Sequence, residues 1–235
     1  MFADLTLYTL LFLALAAFCA GLIDAIAGGG GLIQLPALLI GLEKSETVVI
    51  LGTNKVPSIF GTTASALIYR RNIKTDPKLL IAMVIPAFIG SGIGAHLASR
   101  ISAGSYKSSI FFVMIAIFFY TLVKPELGKK HVEKHSPQKL MVIGSIAAFI
   151  IGFYDGLIGP GTGTILMIAL VALMGFAFVG ASAIAKVVNA TTNLASIIVV
   201  GLTIGVMWKL GLVLAVANLA GGYMGSHMAI KKGSS

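Results

Sequence analysis

Composition and repetition place this chain among all-α integral membrane proteins built from two inverted-topology helical repeats, with about seven full spans and two short, glycine-broken ones. The first ground is solvent. The chain is 57% hydrophobic and only 11% charged over 235 residues, with mean hydropathy +1.00, whereas a soluble domain carries about 25% charged residues. Too little polar side chain is present to cover a water-facing surface, so lipid is the expected surroundings. The second ground is an internal repeat. Asp24 precedes Gly28-Gly29-Gly30-Gly31, and 131 positions later Asp155 precedes Gly159-Pro160-Gly161-Thr162-Gly163.

A helix that crosses a bilayer core needs about 20 apolar residues. Leu5 to Ala27 meets that length. With no Lys or Arg ahead of it, it is expected to be a retained span rather than a cleaved leader. Leu32 to Leu42 is about half the length needed. Thr47 to Tyr69 is long enough, but Asn54 and Pro57 predict a break near Asn54. Arg70 to Lys78 reads as a basic loop. Leu79 to Ser99 is a span with a run of small residues suited to close packing. Ser105 to Val123 is a connecting span that completes a first unit over residues 1–123. Residues 124–139 form a basic loop, and residues 140–235 form the second unit. In that unit Leu140 to Ile158, Phe178 to Val200 and Leu210 to Ile230 span, and Thr164 to Met174 is again short.

Superposing residues 21–101 on 152–232 needs no gap and matches roughly a quarter of positions. The matches include Lys55 with Lys186, Ser65 with Ser196, Gly90 with Gly221, Gly94 with Gly225 and His96 with His227. General hydrophobicity would not concentrate identities in small and polar residues.

The net charge of +9 does not mark a nucleic-acid surface, because the basic residues cluster in the gaps between apolar runs. By the positive-inside rule the Arg70–Lys78 and Lys124–Lys139 loops and the Lys231-Lys232 tail are cytoplasmic. The nearly uncharged stretch Gly201 to Lys209 is then outside, as is the N-terminus. This arrangement reverses the second unit relative to the first.

Glycine breaks at membrane depth are tolerated where they are buried or line a cavity, and each one exposes the amides of the helix that follows. Gly29, Gly30 and Gly31 in one half, and Gly161, Thr162 and Gly163 in the other, are therefore expected to bind an anion. Lys55 and Lys186 lie inside spans, where a lysine costs about 2.5–3.5 kcal/mol and needs a partner or a task. Lys186, Asn189 and Asn193 share one helix face, and Lys55, Ser58 and Thr62 repeat that spacing. With Thr53 and Asn54 they make a donor set for a small oxyanion. Asp24 and Asp155 suit lysine partners, caps for the breaks, or proton and ion carriers.

No catalytic motif or P-loop is present, so neither an enzyme nor direct drive by ATP is expected. The single cysteine, Cys19, gives no disulfide and no metal site, and no cofactor is called for. The expected partners are a small anionic substrate and the lipid bilayer. A homo-oligomer is neither required nor excluded. Two other functions fit the same residues: an uncoupled small-anion channel, and a non-transporting scaffold in which the lysines pair only with Asp24 and Asp155.

Asp24 through Gly31, the segment Gly52-Thr53-Asn54-Lys55, the segment around Lys186 and the two-half layout resemble the sulfite exporter TauE/SafE family over nearly the whole chain. The second half departs from a full Thr-Asn-Lys pattern at Ala185. The resemblance implies a multi-pass permease of a prokaryotic cytoplasmic membrane. It also implies export of sulfite, sulfoacetate or related organosulfonates by alternating access at a midplane site.

Overall fold

The computed structural model describes residues 5–101, 110–116, 119 and 135–233, and every regular element among them is a helix. The helices are α1 (Leu7–Ala27), α2 (Gly31–Gly41), α3 (Thr47–Asn72) and α4 (Pro77–Ala98), then α5 over residues 110–116. They continue with α6 (Pro137–Leu157), α7 (Thr162–Met174), α8 (Phe178–Thr203) and α9 (Trp208–Gly233). Most of the expected connecting span 105–123 and of the basic loop 124–139 lies outside the described residues. Among the described residues, α1, α4, α6 and α8 are long and apolar enough to cross a membrane. α2 and α7, with 11 and 13 residues, are short.

Local chemistry sets the helix ends. The Thr6 hydroxyl accepts the amide of Thr9 at the start of α1, and the Asp76 carboxylate accepts that of Lys78 ahead of α4, with Pro77 in the first turn. Arg70 and Arg71, expected in a loop, stand in the last turn of α3, where cations are favoured by the helix dipole. The break expected near Asn54 does not occur, and α3 runs on through Pro57. Proline removes the ladder donor to the Thr53 carbonyl, and the helix is held there by packing, being buried from Gly52 to Pro57, with Gln34 Nε2 of α2 donating to the next carbonyl, Asn54, at 3.3 Å.

Each sequence half lends its last long helix to the other. α9 packs on α1 and α3, while α4 packs on α6 and α8. One core gathers Leu13, Leu35, Leu38, Ile50 and Leu214 from α1, α2, α3 and α9. The other gathers Met83, Ala148, Leu166, Met167 and Ile184 from α4, α6, α7 and α8. α3 and α8 pack together between these two groups. The outer faces are apolar, with Leu11, Phe12, Ile85, Ile89, Ile146 and Ile150 exposed, as a lipid-facing belt requires.

The crossed helices meet along glycine seams. A Cβ on Gly90 or Gly94 of α4 would strike the carbonyl of Phe149 or Phe153, and one on Gly156 of α6 would strike that of Ser91. Gly221 and Gly225 of α9 sit in the same way on the Phe18 and Leu22 carbonyls of α1. Such seams let backbones approach closely, and dispersion contacts then hold the helices together. Gly156→Ala is expected to destabilise the protein by roughly 1–3 kcal/mol through overpacking. Gly92→Ala, whose Cβ would meet only Val199 Cγ2 at 3.9 Å, is expected to be neutral or to stabilise by up to about 1 kcal/mol. Thermal unfolding in detergent ranks the two, and the opposite order would reject the seam.

Candidate functional site

The site forms where α1 and α6 end and α2 and α7 begin. Gly28 and Gly29 have φ of 76 and 82°, and Gly159 and Gly161 have φ of 93 and 81°. These left-handed values suit glycine and turn the chain sharply at each break. The two breaks touch. A Cβ on Gly31 would lie 3.2 Å from Pro160 Cα, one on Gly163 would lie 3.4 Å from Gly29 N, and Thr164 Oγ1 donates to the Ala27 carbonyl at 3.4 Å. The N-termini of α2 and α7 therefore converge. The first amides of each helix have no partner within the helix, and both macrodipoles turn their positive ends to one place.

A cavity of about 30 Å³ opens there, room for about two waters. Fourteen of the expected residues line it: Asp24, Gly29, Gly30, Gly31, Asn54, Lys55, Ser58, Thr62, Asp155, Gly161, Thr162, Gly163, Asn189 and Asn193. Thr53 and Lys186 are not in the lining. Thr53 Oγ1 donates to the Val49 carbonyl at 2.7 Å and accepts from Met207 N at 3.0 Å, tying α3 to the start of α9. The cavity also takes in Gly159 of the second break, and Ala20 and Asn218, the last two of which sequence reasoning missed. Asn218 Nδ2 donates to the Ala17 carbonyl at 3.0 Å and to Gln34 Oε1 at 2.6 Å. Gln34 in turn donates to Asn54 O. A polar residue within the otherwise apolar run of α9 was the available signal.

The donors in this lining are unequal. Ser58 and Thr62 spend their hydroxyl protons on the carbonyls of Asn54 and Ser58, at 2.8 and 2.7 Å, and so offer lone pairs to the cavity. Asn54 Oδ1 is buried without a hydrogen-bond partner, and rotating that amide presents its NH₂ group instead. Lys55, the asparagine amides and the two helix starts make the lining suited to a small oxyanion.

Two ion pairs cross between the sequence halves. Lys55 Nζ lies 2.7 Å from Asp155 Oδ2, yet that oxygen accepts no aligned hydrogen bond. The aligned bond from Lys55 goes to the Asp155 backbone carbonyl at 2.9 Å. The carboxylate contact is thus mainly coulombic, and the hydrogen bond goes to the C-terminal end of α6. Lys186 Nζ donates to the Asp24 carbonyl and lies 3.0 Å from Asp24 Oδ2. Asp24 Oδ1 accepts from Gly30 N at 3.4 Å. The Lys186 side chain is wholly enclosed, and that of Asp24 is 13% exposed. Among the described residues no cluster of His, Cys, Asp and Glu is arranged to hold a metal ion.

A helical membrane protein with a polar cavity between glycine-broken short helices is the architecture of a transporter. The family profile described as sulfite exporter TauE/SafE matches residues 13–235. A Sinorhizobium protein named "Probable membrane transporter protein ORF9" is 38% identical over 98% of this chain and 87% of its own length. A "Probable membrane transporter protein" of Haemophilus influenzae is 36% identical over 98% of this chain and 89% of its own. "Probable membrane transporter protein YfcA" of Escherichia coli is 35% identical over 99% and 84%. The chain belongs to the TauE/SafE family and is a multi-pass membrane transporter, not an enzyme. No solved structure matches it.

Removing one partner from a buried pair leaves an uncompensated charge and costs about 3–5 kcal/mol. Lys186→Met alone is expected to destabilise the protein by that amount, and Lys186→Met with Asp24→Asn by much less. A double-mutant cycle on thermal stability checks this, and additive effects would show that the two groups do not interact.

Proposed function

We propose that this chain is a secondary transporter that exports small sulfur-containing oxyanions, such as sulfite or an organosulfonate. The observation that carries the proposal is the meeting of two helix N-termini, Lys55 and several side-chain amides around one cavity. Tetrahedral and pyramidal oxyanions present several acceptor oxygens in a small volume, which matches donors converging from several directions. The choice of sulfur chemistry follows the family. In this reading Gly29, Gly30, Gly31, Asn54, Lys55, Ser58, Thr62, Gly161, Thr162, Gly163, Asn189 and Asn193 contact the substrate. Thr53 and Lys186 hold the frame around them.

The same reading takes the two halves as inverted repeats with seven full spans. The N-terminus lies outside, and the C-terminus lies on the cytoplasmic side of a prokaryotic cell membrane. The pairing α1–α9 and α4–α6 favours particular moving bodies. Rocking one sequence half against the other would open both glycine seams. Rocking the group α1, α2, α3 and α9 against the group α4, α6, α7 and α8 leaves the seams closed and works at the α3–α8 contact. A cavity that holds about two waters fits a closed stage, which must widen to admit a substrate.

A thermal-shift screen of detergent-purified protein tests the substrate class, with sulfite, sulfoacetate, isethionate, sulfate, acetate and chloride as ligands. Only a ligand that binds the folded state raises its stability. Selective stabilisation by a sulfite or sulfonate is expected, with affinity reduced about tenfold in Asn189→Ala by loss of one hydrogen bond to a charged ligand. Stabilisation by none of the anions would overturn the assignment.

A further inference from the structure

We propose that Asp155 is a proton site, and that the transporter takes up one proton for each monovalent oxyanion it binds. The proposal rests on the oxyanion reading of the cavity, whichever way transport runs, and adds the co-bound ion and the residue that carries it. The two ion pairs occupy equivalent positions in the repeat but are chemically unequal. Lys186 is fully enclosed, stands apart from the cavity lining and also holds the Asp24 carbonyl. Asp24 keeps a second donor in Gly30 N. That pair is built to stay closed. Lys55, in contrast, lines the cavity and is also the ion-pair partner of Asp155. It is the cation an entering oxyanion meets.

When Lys55 turns to the oxyanion, Asp155 loses its counter-charge. Asp155 is 1% exposed, and its Oδ2 has no aligned hydrogen bond to fall back on. The elements packed around it supply no replacement cation among the described residues. Lys186 of α8 is engaged with Asp24. Lys78 and His96 of α4 are exposed near its ends, and α7 carries no ionisable side chain. The neighbouring Tyr154 hydroxyl donates to the Pro160 carbonyl at 2.5 Å. Asp24, across the cavity, is itself a carboxyl group and offers no positive charge. A buried carboxylate without a cation binds a proton. The proton passes from solvent to the Asp155 carboxylate, and no bond in the substrate changes. The site then gains one negative and one positive charge, so loading with a monovalent oxyanion is electroneutral.

The test measures proton uptake by wild-type protein in weakly buffered detergent solution near neutrality, as isethionate is added, with a pH-indicating dye. Isethionate has no group that titrates in this range. The expected result is about one proton taken up per isethionate bound, with affinity falling towards tenfold per pH unit above neutrality as linkage requires. Asp155→Asn should bind isethionate with no proton uptake and a flat pH profile. Binding without uptake in wild type would overturn the proposal while leaving the oxyanion site standing. A proton signal kept in Asp155→Asn would also overturn it. Failure of isethionate to bind at any pH would overturn the oxyanion reading and the coupling together.

Discussion

Two ammonium groups inside an apolar bundle are the constraint that the rest of this structure answers. Each lysine is tolerated because a carboxylate from the opposite sequence half meets it, Asp155 for Lys55 and Asp24 for Lys186. The pairing needs α1 and α6 to end beside α8 and α3, and the helix-end carbonyls accept from the same two lysines. Chain that ends there has to turn at membrane depth, and glycines at left-handed φ make the turn. The short helices start at those turns, and their first residues Gly31, Thr162 and Gly163 line the cavity. Ion pairs, helix ends and cavity are therefore one arrangement.

Much of this was legible because polar groups are scarce and costly in such a chain. The 131-residue spacing found both breaks, both lysines and both aspartates, since general hydrophobicity does not repeat those residues. Asn218 and Gln34 escaped for the same reason. Their repeat counterparts are Ala87 and Ile165, so no recurrence marks them, although they bond to each other and one of them lines the cavity. The break expected at Asn54 rested on local propensity, which tertiary packing overrode, α3 being buried from Gly52 to Pro57. Sequence also treats Lys55 and Lys186 as equals. Only packing separates a lysine that faces the cavity from one that faces away from it.

The exchange of α4 and α9 between the halves was not legible at all. Glycine spacing marks a face that packs closely, but not which helix it packs against. The polar lining and the exchanged α9 nevertheless belong together, because α9 brings Asn218 to a cavity otherwise made by α3, α8 and the two glycine breaks with the helix ends that flank them.

That exchange also sets an order for biosynthesis. The ribosome makes α4 before α6, so the face carrying Gly90 and Gly94 enters the membrane ahead of the backbone it will cover. α1 waits longer, because its partner α9 is the last of these helices to be translated. Neither core can close when the first four helices are complete. The nascent chain must be held in a loosely associated state until α9 inserts. The cavity is then finished at the end of translation, and any polar group in it that lacks its partner stays exposed to membrane quality control until that moment.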